Sequence, residues 1–132
     1  MIHHTFLRLS AVFGFLSVAL GAMGAHALRP LLSEASLGNF ETAVKYQFYH
    51  ALALLAVAIL VQYGHKKLLT AAGWLFFVGI LCFSGSLFLL STRELHGMAV
   101  SWLGPVTPLG GLFLMSGWAL VFMAGTKRPT RG

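Results

Sequence analysis

Six side chains able to hydrogen-bond or carry a proton lie within otherwise apolar stretches of this chain: His26, Tyr46, Gln47, His50, Ser84 and Ser86. Tyr46 and His50 are four residues apart and share a helical face, and Gln47 precedes His50 by three. An imidazole titrates near neutral pH, so a pair of them suits proton relay, solute binding or hydrogen bonding between helices. Polar groups inside a membrane span are costly, which makes each a functional candidate. At 1.5 Å per residue, His26 and His50 fall roughly 5–7 Å below one membrane boundary. Ser84 and Ser86, flanking Gly85, fall in the same half of the membrane. The spacing predicts one polar cluster in the outer half, facing the bundle interior.

More demanding chemistry finds less support. His26, His50, His96 and Glu94 are ligand types that zinc accepts, yet they lack the tight spacing of a motif such as HExxH. No catalytic, cofactor or metal site is therefore assigned. Ser84-Gly85-Ser86 lacks the strand-turn-helix setting of a nucleophile elbow. Phosphate-binding loops, paired cysteines and dinucleotide fingerprints are absent from the sequence. The single cysteine, Cys82, lies in an apolar run and reads as a packing residue. His3, His4 and His65 read as ordinary interfacial residues.

The elements that must position these groups are long and apolar. Of 132 residues, 58% are hydrophobic and only 9% are charged, against about 25% charged in soluble domains. Such a chain cannot cover itself with a wettable surface. Four apolar segments occur, at about 6–28, 40–63, 68–90 and 108–125, each long enough to span a bilayer as a helix. They would leave about 52 residues for loops and ends, too few for a separate soluble domain. Continuous apolar runs also argue against a β-barrel, which alternates. The reading is all-α: one membrane domain over 1–132, an integral four-helix bundle. Arg29-Pro30 ends the first segment, whereas Thr107 is placed to cap the fourth with Pro108 in its first turn.

Arg8 and Ala25-His26-Ala27 give the first segment a rival reading as a cleaved signal peptide. Its apolar run exceeds the 7–15 residues usual there, so a retained helix is expected. Four crossings put Arg8, Lys66, Lys67, Lys127, Arg128 and Arg131 on one side. Arg29, Lys45 and Arg93 fall on the other, with the acids Glu34, Glu41 and Glu94. The excess of bases places both termini in the cytoplasm. The net charge of +6 thus reads as topological, not as a nucleic-acid surface. Ser10, Gly14, Ser17, Gly21 and Gly24 form a small-residue stripe on the first segment, suited to close helix packing. Ala72, Gly79 and Ser86 repeat the device on the third segment, and Gly110, Gly117 and Ala124 on the fourth.

Five ordered blocks carry a family resemblance: Gly-Ala-Met-Gly-Ala-His-Ala-Leu at 21–28, the run Phe40 to Leu54, Phe83-Ser-Gly-Ser-Leu-Phe88, Thr107-Pro-Leu-Gly-Gly111, and Gly117-Trp118. Together they resemble the small bacterial membrane family called domain of unknown function 423, related to eukaryotic transmembrane protein 256. Ala27 stands where the family often has glycine, and Phe88 where tyrosine is common. The resemblance implies a four-helix protein of the bacterial plasma (inner) membrane and supplies no reaction. The function expected is a non-enzymatic structural or interaction module, surrounded by membrane lipids and able to self-associate as a homo-oligomer. A small oligomeric transporter or channel for an ion, proton or solute, using the polar cluster, is the alternative.

Overall fold

The computed structural model describes residues 1–126; Lys127, Arg128 and Arg131, counted above for orientation, lie outside them. Helix α1 runs from His4 to Met23 and passes into a π-helical turn, Gly24–Leu28. Helix α2 spans Glu34–Leu60 and α3 spans Lys66–Ser91. A short helix α4 (Arg93–His96) and a single 3-10 turn (Ser101–Leu103) lead into α5, Val106–Thr126. Among the described residues there is no strand. Among those same residues, four stretches of 25 to 27 residues are long and apolar enough to cross a membrane. At 1.5 Å per residue α2 and α3 are roughly 39–40 Å long, about 9–10 Å more than the hydrocarbon layer, and the 21 residues of α5 roughly 32 Å.

Element boundaries depart from the apolar segments where polar residues continue a helix. Helix α2 begins six residues before Phe40, because Ser33 caps it by accepting the Ser36 amide N–H at 3.2 Å and Glu34 occupies the positively polarised first turn. Helix α5 begins at Val106, so Thr107 lies within its first turn instead of capping it. Pro108 still fits there, since first-turn amides have no intrahelical partner to lose. Helix α4 ends at Gly97, whose φ of 64° is left-handed, a conformation glycine adopts without a Cβ penalty.

The helices pack in chain order: α1 lies against α2, α2 against α3, and α3 against α5. Helices α2 and α3 therefore form the centre, and α1 and α5 flank it. Phe6, Leu54, Val57, Phe76 and Ile80 are buried in the main core. A second, smaller cluster of Leu28, Leu32 and Phe40 closes the end that carries the α1–α2 and α3–α5 connections, here called the loop end. At the opposite end, the His3 amide donates to the Ala58 carbonyl at 3.0 Å, occupying an acceptor in the last turn of α2.

The α3–α5 seam is the closest approach. A Cβ built on Gly110 would meet the backbone of Cys82 and Phe83, one on Gly79 would meet Leu114, and one on Gly117 would meet Phe76. Facing residues step 76, 79, 83, 86 along α3 and 117, 114, 110, 107 along α5. That alternation of three and four matches the 3.5-residue period of antiparallel, left-handed helix packing.

Candidate functional site

His50 is the most elaborately held polar group in the spans. Position 50 on α2 turns its ring toward α3 and α5, where it is buried. Its Nδ1–H donates to the Tyr46 carbonyl one turn back, at 2.7 Å. Its Nε2 accepts the indole N–H of Trp118 from α5, at 3.1 Å. The two partners fix the tautomer as the one with hydrogen on Nδ1. Phe76 of α3 lies beneath both rings, 5.6 Å from His50 and 5.2 Å from Trp118 between ring centres. Gly117 makes room for Phe76 there. Tyr46, with Phe83 at 4.7 Å, completes the wall of an open groove of about 330 Å³ between α2 and α5.

The other polar side chains bridge different helix pairs. Gln47 turns to α1, where its Nε2 donates to Ser17 Oγ at 3.0 Å and to the Phe13 carbonyl at 3.3 Å. Ser17 Oγ–H in turn donates to the Phe13 carbonyl at 2.7 Å. Ser84 reaches from α3 to α2 and donates to the Ala43 carbonyl at 2.8 Å. Ser86 meets Thr107 of α5 at 2.6 Å. Since Ser86 Oγ–H is directed to the Phe83 carbonyl at 3.0 Å, Thr107 is the donor between the two hydroxyls.

The expected single cluster is thus divided among four seams: α1–α2 at Gln47, α2–α3 at Ser84, α2–α5 at His50 and α3–α5 at Ser86. Tyr46 is exposed along its groove, and His26 is exposed in the π-helical turn, apart from the others. The physical reason is rotational: residues at one depth still point around different sides of their helices. The His26, His50, His96 and Glu94 grouping does not assemble either, and among the described residues no three His, Cys, Asp or Glu are placed to hold a metal. Both ring nitrogens of His50 are engaged, as are those of His96, which bonds the Leu89 carbonyl and the Met98 amide. By contrast, His3 and His65 each bury an Nδ1 without a hydrogen-bond partner.

Of the small-residue stripe on α1, Ser10, Ser17 and Gly24 are buried, while Gly14 and Gly21 are half-buried. A Cβ on Gly24 would lie 3.0 Å from the Phe40 ring and one on Gly21 3.4 Å from Val44, whereas one on Gly14 would enter open space. The stripe therefore lies along α2 only over part of its length. Two interhelical hydrogen bonds were not specified by the sequence as pairs: Trp118 with His50, 68 residues apart, and Thr107 with Ser86. In the sequence Trp118 stands out only within the Gly117-Trp118 block of the family resemblance.

Four apolar spans tied by buried polar bridges define an integral membrane helical bundle. Within that class, residues 20–111 match the family model described as "Protein of unknown function (DUF423)", and the chain belongs to that family. It is 41% identical over 123 residues to the UPF0382 membrane protein YwdK of Bacillus subtilis, covering 92% of this chain and 96% of the relative. A UPF0382 membrane protein of Staphylococcus epidermidis is 37% identical, with 92% and 95% covered. The UPF0382 inner membrane protein YgdD of Escherichia coli K12 is 33% identical, with 96% and 92% covered. No solved structure matches the chain.

Proposed function

We propose that this bundle is a non-enzymatic structural or interaction module of the bacterial plasma membrane, with both termini cytoplasmic and with self-association as part of its role. The observation that carries the reading is the use of its polar groups. Gln47, His50, Ser84 and Ser86 each bond to another helix, through Ser17, Trp118, Ala43 and Thr107 respectively. Such bonds are worth about 0.6 kcal/mol each in membrane proteins. They act as adhesive between helices that lipid does not drive together. The orientation rests on the six-to-three distribution of bases in the sequence.

Reconstitution separates this reading from transport. Vesicles containing the protein and a trapped pH-sensitive dye should dissipate a proton gradient no faster than empty vesicles. Trp118→Phe and His50→Leu should lower the thermal midpoint in detergent. Gradient dissipation by the wild type that His50→Gln abolishes, with an unchanged midpoint, would establish transport instead. Native mass spectrometry of the same preparation reads the oligomeric state, and a strictly monomeric protein would remove self-association.

A further inference from the structure

Between α1 and α2, bordered at its deeper part by Ser17 of the Gln47 bridge, lies a trough that changes character along its length. Toward the loop end it is a cleft of about 130 Å³, where Gly21 of α1 and Gly24 and Ala25 of the π-helical turn lie opposite Phe40 and Val44. Phe40 and Val44 sit close on Gly24 and Gly21, and with only the Ala25 methyl beside them a small cleft stays open to the surroundings. Glu41 and Lys45 stand on its rim. Deeper in the membrane it continues as a groove of about 230 Å³ beside Ser17, Val18, Phe48 and Tyr49. Val44 and Lys45 line both parts, so the two are one trough.

The charges on this trough are placed at headgroup level. Helix α2 overhangs the hydrocarbon layer by roughly 10 Å, or about seven residues. Glu34 to Phe40 make up that overhang at the loop end, so Glu41 sits at the boundary and Lys45 one turn inside it. Both side chains are exposed. Cα–Cβ bonds tilt toward a helix N-terminus, so the Lys45 stem leans back to the interface and its ammonium snorkels to the level of Glu41. A positive and a negative group thus stand side by side above an apolar slot, the mirror image of a zwitterionic headgroup above an acyl chain.

We propose that this trough binds one phospholipid whose headgroup pairs a phosphate with a primary ammonium, the chemistry of phosphatidylethanolamine. Its phosphate accepts from Lys45 Nζ, its ammonium donates to the Glu41 carboxylate, and one acyl chain lies along Val18, Val44 and Phe48. An anionic glycerol headgroup satisfies Lys45 but offers nothing cationic to Glu41. A choline headgroup presents methyl groups where Glu41 requires an N–H donor. The site goes beyond the structural reading above, and it does not depend on which leaflet the loop end faces.

The test uses the full chain in nanodiscs of equimolar phosphatidylethanolamine and phosphatidylglycerol, with lipid retained after detergent release counted by native mass spectrometry. The wild type should retain phosphatidylethanolamine over phosphatidylglycerol by about fivefold, the scale of one favourable ion pair. Glu41→Gln should bring that ratio close to one while lipid is still retained. Lys45→Gln should lose retention of both lipids, and Ala25→Leu, which fills the cleft without altering charge, should do the same. Circular dichroism and the thermal midpoint establish that each variant is folded. A second nanodisc set with phosphatidylcholine replacing phosphatidylglycerol should show the same preference. Equal retention by the wild type, or a preference that survives both charge substitutions, overturns the site and leaves only annular lipid. Neither result bears on the proton-flux and stability measurements that test the structural reading.

Discussion

Replacing Gly110 by alanine adds one methyl group at the point where α3 and α5 meet backbone to backbone. The new Cβ would lie 2.8 Å from the Cys82 carbonyl carbon and from the Phe83 Cα, closer still to the Phe83 nitrogen, where ordinary contact begins at 3.4 Å. No side-chain rotation relieves a clash with main chain, so the helices must part by at least about 0.6 Å. A gap of that size forfeits a quarter to a half of the dispersion energy of the contacts it opens. Those contacts include Leu114 on Gly79 and Phe76 on Gly117. Overpacking of this kind costs about 1–3 kcal/mol, and the thermal midpoint should fall by about 4–12 °C. Gly111→Ala supplies the control. Its Cβ would lie 3.7 Å from the Phe83 ring, an ordinary contact, and the gain in helix propensity is common to both variants. Circular dichroism during heating in one detergent reads the comparison. Equal midpoints for Gly110→Ala and Gly111→Ala would refute the backbone seam.

A double-mutant cycle of His50→Leu and Trp118→Phe, read by the same melt, should give a coupling of about 0.6 kcal/mol and no more than about 1.7. Additive losses would mean that the 3.1 Å bond contributes nothing. His50→Gln should retain much of the stability, because an amide oxygen can accept the indole N–H. Phe6→Ala removes a ring that is 0% exposed and stacked at 4.0 Å on His3, at a cost of about 3–5 kcal/mol. Phe15→Ala, at a position 74% exposed, should leave the midpoint nearly unchanged in detergent. With Cys82 replaced, cysteines at Gly38 and His96 should react with an impermeant thiol reagent on intact cells while one at Lys67 stays silent. The reverse pattern would overturn the proposed orientation, and different answers at Gly38 and His96 would break the four-span topology.

Depth along the bundle was legible for Ser84 and Ser86, which lie in the half of α3 nearer the loop end. It was not for His50, which lies past the middle of α2 and, counted from Glu41, roughly 14 Å deep instead of 5–7 Å, because α2 begins well before the polar residues from which depth was counted. Polar ends of helices were less legible. Hydropathy set the start of α2 at Phe40, although Ser33 and Glu34 already held the capping signal that starts it. The π-helical turn at Gly24–Leu28 left no mark in the apolar pattern, nor did α4 and the 3-10 turn between the last two spans. Partnership between helices was not legible at all. Periodicity states which residues share a face, but the rotation of one helix against another is a property of the pair.

That rotation is nevertheless encoded at the α3–α5 seam by residues whose types were visible. Phe76, Gly79, Phe83 and Ser86 step by three, four and three, and Gly117, Leu114, Gly110 and Thr107 step equally in the opposite sense. Phe76 is seated on Gly117 and Leu114 on Gly79, Gly110 meets the backbone at Phe83, and the last pair is two hydroxyls. The Gly110 contact with Phe83 lies one turn from Ser86 and Thr107, and close backbones there bring the two hydroxyls to 2.6 Å. Seating Phe76 on Gly117 likewise sets Trp118, the next residue, beside the same ring and within reach of His50. In water, apolar burial would draw these helices together without regard to rotation. In lipid, which solvates leucine as well as another helix does, that pull is absent. Glycine matched to bulk sets the approach and rotation of α5, and the polar bridges form between the groups that this geometry leaves facing each other. The bridges are for that reason poor guides to a catalytic centre: their positions follow from packing, one for each seam.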